Sequence, residues 1–444
     1  MLLSAGHPHD SGDHGAAGPA STTVYVESND PRQGHNAVLA FQRNPANGRL
    51  HEIGRFATGG TGQANPEQVL GPDDSDQEVI ASPDGRLLFA VNQGSDSIAV
   101  FRIRRDGGLA RVGTFDSGGV QPVSLGLSGD RVYVVNRGDV RAGHDATVAP
   151  NYTGFRIRAD GSLSPIAGST VTLPLGLSPA QALISRDGRF LFGDNFALPG
   201  TSPALGNTIE PFRINADGTL AVAPGGAVGA PVTPPLILGT AVHPTKRIVY
   251  AGLTGASRIG VFTFDESGTL TFVRSVADQG AAPCWTIVSA DGRFLYTATT
   301  GTNSIGVFSL ADPLNPAQIQ EFKLAGPIAP AGAPQGTVET ADFQIALDPG
   351  GRSLYVVNQS TAADLNFPGG NQLHVLSVAA NGTVSEQAGS PVLLSPFGVP
   401  GTARVQGVAV VAGRAADHGP QTTRSPFATG RRTDHAQDLE GLLQ

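Results

Sequence analysis

Two carboxylates one residue apart, Asp76 and Glu78 in Asp76-Gln77-Glu78-Val79, are the leading candidates for proton transfer in this chain. A carboxylate partly removed from water titrates nearer neutrality and can serve as general acid or base. The bland reading of Glu78 is a solvated rim residue, or one bonded to neighbouring amides. Arg137 opens a loop that also carries Asp139, Arg141, His144 and Asp145, and its guanidinium can meet a carboxylate through two bonds. A mixed-charge loop of this kind can equally be solvated surface. Trp285, the only tryptophan, adjoins Cys284, the only cysteine; it either stacks on a ligand or plugs a channel as core. Cys284 has no histidine near it in sequence, which leaves a nucleophilic role unsupported. His243 stands before Pro244, where other repeats carry Ser-Pro, and reads as a turn residue.

The elements that must position these residues recur. Searching for self-similarity finds one phrase: strand, Asp-Gly turn, strand, loop, strand, second Asp-Gly turn, strand. The run from Gln77 to Phe115 contains all of it, with Pro83-Asp84-Gly85-Arg86 as the first turn and Asp106-Gly107 as the second. Asp-Gly between alternating apolar runs signals a hairpin, because glycine takes the positive φ of a tight turn. The first turn recurs at Gly85, Gly129, Gly188, near Lys246, at Gly292 and Gly351. The second recurs at Gly48, Gly107, Gly161, Gly218, Gly268, near Asn315, and at Gly382. The extra second turn arises because the chain enters inside a repeat at Thr23-Val-Tyr-Val-Glu27; the missing first strand is Val405-Gln-Gly-Val-Ala-Val-Val411. The expected fold is therefore all-β: a seven-bladed β-propeller of four-stranded antiparallel blades, closed by pairing the C-terminal strand with the N-terminal blade. Residues 23–411 form the single propeller domain in this reading, with flexible tails at 1–22 and 412–444.

Both Asp-Gly turns fall on one face of such a disc. The other face carries loops of widely varying length at 57–76, 137–151, 196–208, 326–341 and 359–371, and variable loops on a rigid frame are the expected working side. Aligning the repeats places Gln77/Glu78, Val123/Ser124, Ala180/Gln181, Leu238/Gly239, Cys284/Trp285 and Phe343/Gln344 around the channel mouth there. A second ring, Ser28, Asn92, Asn136, Asn195, Leu253, Thr299 and Asn358, ends the second strands. Turn structure explains its asparagines, and the functional alternative is a ring of amides around a polar ligand or cation.

Composition removes several classes of function. Of 444 residues, 59 are Gly and 33 Pro, about a fifth of the chain, which excludes a helical bundle; 40% apolar residues and a net charge of −8 exclude a disordered chain. With 29 basic against 37 acidic residues there is no cationic field for nucleic acid. One cysteine excludes an intramolecular disulfide and any multi-thiolate metal site. Three histidines near the N-terminus, His7, His9 and His14, lack a supporting shell, and no metal or cofactor is expected. No run approaches a membrane span, and the start Met1-Leu-Leu-Ser-Ala-Gly-His is not a signal peptide. The chain as given reads as cytoplasmic, or exported if a signal lies upstream of Met1.

The phrases Ser82-Pro-Asp-Gly-Arg-Leu-Leu-Phe-Ala-Val-Asn92, Ser185-Arg-Asp-Gly-Arg-Phe-Leu-Phe192 and Ser289-Ala-Asp-Gly-Arg-Phe-Leu-Tyr296 resemble the lactonase family of seven-bladed propellers, which includes bacterial 6-phosphogluconolactonase and carboxymuconate-lactonising enzyme. The resemblance spans about 23–411. It implies a lactonase-type activity, but the family's charged active-site residues are replaced: a fourth-blade His by Ala180, a fifth-blade Arg-His by Leu238-Gly239, a Glu by Thr254 and a sixth-blade Arg by Thr300. Two readings follow. One is an enzyme hydrolysing or isomerising a lactone or related cyclic carboxylated molecule, with Glu78 or Asp76 catalytic and Arg137, Gln77, Gln181, His144, Trp285 and Gln344 binding substrate. The other is a non-catalytic propeller holding a small ligand or a partner protein through the same face. Either is expected as a monomer.

Overall fold

The computed structural model describes residues 22–63, 75–139, 146–196, 206–234, 236–326, 340–360 and 370–413. The tail sequences, His144 and most of the variable loops lie outside these described residues. Seven antiparallel sheets are arranged as blades around one axis. In blade two, whose order matches the sequence phrase, Val79–Ala81 is innermost, followed outward by Leu87–Asn92, Ser97–Ile103 and Leu109–Asp116. Blades three to seven begin on Pro122–Ser128, Ser178–Pro179 with Leu183–Ile184, Ile237–Val242, Pro283–Val288 and Thr340–Leu347. Blade one takes its innermost strand from the far end of the chain: Gln406–Ala412 pairs antiparallel with Thr22–Glu27, Val24 facing Val410. Seven blades with a shared sheet at the chain ends are what the turn arithmetic requires.

Four first turns are braced by their own serine or a histidine in its place. Ser82 Oγ donates to Asp84 and accepts from Leu87 N, and Ser185 and Ser289 repeat the pattern with Asp187 and Asp291. In blade five His243 takes that place, its Nδ1 accepting from the amides of Thr245 and Lys246. Three second turns reach back onto the preceding blade: Tyr25, Tyr133 and Tyr296 donate from their second strands to the carbonyls of Gly107, Gly218 and Gly382 at 2.8, 3.0 and 3.1 Å. At these three places the buried hydroxyl is satisfied across a blade boundary and ties the two blades together.

The cores lie between blades, where facing strands bury Val, Leu, Ile and Phe side chains completely. At roughly 25 cal/mol per Å² this interblade burial dominates the cohesion of the ring. Blades three, four and seven carry additional short outer strands, Val171–Thr172, Val228–Gly229 and Val392–Leu393, that the repeat phrase does not announce. Near the ring of candidate residues the innermost strands are irregular. Register shifts occur between Pro122 and Ser124, Leu238 and Thr240, Pro283 and Trp285, and Asp342 and Ile345, and in blade four the strand breaks outright at Ala180–Ala182. Bulges re-aim side chains, and here they turn the ring residues toward neighbouring blades and the channel.

Candidate active site

Seven innermost strands enclose a central cavity of about 560 Å³. Its middle is aliphatic, with Ile80, Leu127, Ile184, Val242, Ile287 and Val410 on the wall; Asp76, Gln77, Gln181 and Thr240 lie at one end, and Pro83, Arg186, Pro244 and Ala290 of the first turns at the other. The cavity therefore reaches the Asp-Gly-turn face, whereas the sequence reading put the working side wholly on the variable-loop face.

The polar end is built from the residues just ahead of each innermost strand. Gln181 is fixed by accepting from both Thr240 N and Thr240 Oγ1, at 2.7 and 2.6 Å, on the next blade. Its Nε2 then faces Asp76 Oδ2 and Gln77 Oε1, each at 3.2 Å, and Thr240 O at 3.1 Å. Blades two and four meet directly across blade three because the intervening ring residue, Ser124, is short; Asp76 N also donates to Ala180 O. Gln77 is held at φ +68°, a left-handed conformation uncommon outside glycine, and its amide donates to Asp76 Oδ1. The corresponding bulge in blade five must be glycine: at Gly239, φ +67°, a Cβ would stand 1.7 Å from Cys284 O.

Burial governs the charges here. Asp76 is partly exposed to the cavity, and desolvation, opposed by the Gln77 amide and aided by the nearby Asp194 carboxylate, pushes its carboxyl up to about 7. Solvent entering the channel moderates that desolvation. Asp194 is fully buried and is raised to about 6 by burial, held back by the Gly239 amide, 2.7 Å from Oδ2, and by the charge of Arg137. Glu78 is driven well above the usual carboxylate range by burial and by the neighbouring Asp76; its Oε1 accepts from Ser75 at 2.7 Å and Gln344 at 3.1 Å. Glu78, expected at the channel mouth, is fully buried and absent from the cavity wall, where Asp76 is the carboxyl present.

The remaining candidates separate. Gln344 bridges Glu78, Ser75 O and Gly407 N, so it ties blades seven, one and two together. Arg137 is fully buried, its Nε donating to Ser178 Oγ at 2.6 Å, and it stands off the cavity wall near Asp194. Trp285 is completely buried among Ala180, Phe196, Leu238, Cys284 and Phe343, the plug of the two sequence alternatives. Sequence reasoning missed Asp194, Glu27 and Asp342, all fully buried, and Arg404. The available signal was an ionisable residue inside an otherwise apolar strand, as in Phe190-Leu-Phe-Gly-Asp194. Among the described residues no group of three or more His, Cys, Asp or Glu is arranged to hold a metal, and no helix is long and apolar enough to cross a membrane.

The family model for the Lactonase, 7-bladed beta-propeller matches residues 34–144 and 238–359, together just over half of the chain. The chain belongs to that family. The lactonase model passes over 145–237, which contains the broken inner strand, Asp194 and Arg186. Curated relatives are the 6-phosphogluconolactonases of Pectobacterium carotovorum and Pectobacterium atrosepticum, 25% and 24% identical over 285 residues, covering 62% of this chain and 75% of theirs. Among solved structures the periplasmic gluconolactonase of Pseudomonas aeruginosa aligns at TM-score 0.60 with 18% identity, over 87% of this chain and 99% of that one. A protein from Lactobacillus plantarum aligns at TM-score 0.61 with 16% identity, over 88% and 99%. At such identities the structural likeness concerns the fold. Where the sequence resemblance expected charged groups, Ala180 and Leu238 are buried in the apolar cluster, and Thr254 and Thr300 donate to the backbone carbonyls of Pro283 and Asp342.

Proposed function

We propose that the protein hydrolyses a lactone in its central channel, with Asp76 as general base. The observation that carries this reading is a carboxyl poised near neutrality on the wall of the central cavity, 3.2 Å from an amide nitrogen whose own orientation is fixed. Asp76 takes a proton from water as the water oxygen bonds to the lactone carbonyl carbon. Gln181 Nε2 donates to the carbonyl oxygen, which carries the developing negative charge. The ring C–O bond then breaks, and the leaving alkoxide recovers the proton from Asp76, giving a hydroxy acid. Glu78 and Gln344, bonded to each other and to Ser75, hold the segment that carries Asp76.

The test is a panel of γ- and δ-lactones followed by base uptake at constant pH. kcat/KM should rise through about pH 7 as Asp76 ionises, D76N should fall about 10²–10⁴-fold and lose that rise, and Q181A should fall less. D76N turning over as fast as wild type would remove the assignment. The neutral residues at Ala180, Leu238, Gly239, Thr254 and Thr300 favour a second reading, a channel that binds a small molecule without turning it over; in that case no lactone in the panel is consumed by wild type.

A further inference from the structure

Between the polar end of the cavity and the Asp-Gly-turn face the wall is aliphatic at two successive levels. Counted back from the residue that opens a first turn, Ser82, Ser185, His243 or Ser289, the second positions are Ile80, Leu183, Ala241 and Ile287. The positions just before the turns include Ile184, Val242 and Val288, and all of these residues line the cavity. The polar side chains of the wall, Asp76, Gln77, Gln181, Thr240 and Thr286, are gathered at the ring end; the next is Arg186, inside a first turn. Thr240 and Pro244, both on the wall, bracket an apolar length of roughly 13 Å at the rise of an extended strand.

These side chains are only partly used as core. Ile80, Leu183, Ile184, Val242, Ile287 and Val288 each pack one side against an interblade cluster and stay half-buried, so the remainder is shown to the cavity. Apolar surface left open on a concave wall, beside a few fixed polar groups, is how a ligand site is built. The inner strand edges add backbone amides and carbonyls, as any edge does, and water satisfies them as readily as a ligand. No side chain of the stretch can pair with a ring hydroxyl, so a polyhydroxylated lactone would trade water for methyl groups there. A hydrocarbon chain makes no such exchange.

We infer that the substrate is a lactone bearing a linear alkyl substituent: the ring sits at Asp76 and Gln181, and the alkyl chain runs along the aliphatic stretch toward the Asp-Gly-turn face. The substrate class rests on the hydrolase reading above; the apolar binding stretch does not. The experiment follows hydrolysis of γ-lactones with methyl, butyl and octyl side chains, with glucono-δ-lactone as the polyhydroxylated control and each rate divided by its spontaneous hydrolysis. In wild type kcat/KM should rise about 3-fold per added methylene, mostly through KM, and the control should lie below the methyl lactone. A profile flat in chain length, or a preference for the control, overturns the inference and leaves the D76N result standing. V242F narrows the stretch and should cut the octyl-to-methyl ratio about 10-fold. If V242F does not fold, V242T decides: it keeps the shape, puts a hydroxyl on the wall and should lower that ratio about 3-fold. An unchanged ratio in the variant that folds overturns the inference. If wild type consumes no lactone, the hydrolase reading falls and calorimetric titration of the same series into wild type becomes the readout. Affinity that rises with chain length then supports the alkyl site, and affinity independent of it, or no binding, overturns it.

Discussion

The end of the channel bearing Asp76 has two unlike arcs. From blade seven through one to two, the residues at strand starts and ends are ionisable or amides: Asp342, Arg404, Glu27, Asp76 and Glu78, with Gln93 donating to Gln406 across blades at 2.7 Å. From blade four to seven, the innermost positions are Ala180, Leu238, Cys284, Trp285 and Phe343, packed as one cluster. Both arcs hang on the same repeat and the same bulges. Position in the frame therefore decides where a side chain is presented, and residue type alone decides whether that place holds protons or seals the ring. Blade four is the seam, giving Ala180 and Phe196 to the apolar arc and Gln181 and Asp194 to the polar one.

Removing the plug should have the largest effect on stability. W285A empties a fully buried site and should cost about 3–5 kcal/mol, read from denaturant unfolding; a loss below about 1 kcal/mol would mean the apolar arc does not seal the ring. The polar arc should respond to pH instead. Asp76, Asp194, Glu78 and Asp342 all titrate higher folded than unfolded, so the native state binds more protons between about pH 4 and the folded values. Their stabilisation is complete below about pH 4 and declines as pH rises through about 6 for Asp194 and about 7 for Asp76. D76N should flatten part of that decline, gaining on the order of 1–2 kcal/mol over wild type at pH 8 relative to pH 5 once solvent access to Asp76 is allowed for. A parallel pair of Tm-against-pH curves would show that Asp76 is not desolvated. T300V, at the border of the arcs, should cost about 1 kcal/mol, because it leaves the Asp342 carbonyl without the hydroxyl 2.8 Å away.

The sequence made the frame legible because these turns are local: nearly every one carries a glycine at positive φ, so their recurrence counts the blades, and Thr23–Glu27 with Val405–Val411 announces the closure. The break at Ala180–Ala182 was hidden because Ser185-Arg-Asp-Gly-Arg is an ordinary turn and nothing local marks the lost pairing. At the site, Gln77 and Gln181 were legible together because repeat alignment sets them at one level, and Asp76 because it stands beside Gln77 and close to Glu78 in sequence. Asp194 and Asp342 were not, since the alignment directed attention one or two residues away, to Asn195 and to Phe343 and Gln344. The burial that turns Asp76 rather than Glu78 into the exposed carboxyl depends on which side chain the bulge faces into the cavity, a tertiary outcome that spacing does not encode.

Because the innermost strand of blade one is Gln406–Ala412, that blade cannot be completed during synthesis until nearly the whole of the propeller has left the ribosome. Until then the nascent chain carries an open arc whose two terminal sheets each show an uncovered apolar face to the cell. Production of the protein thus hinges on its last strand, and a stop codon placed before Gly407 should yield insoluble material rather than a smaller ring.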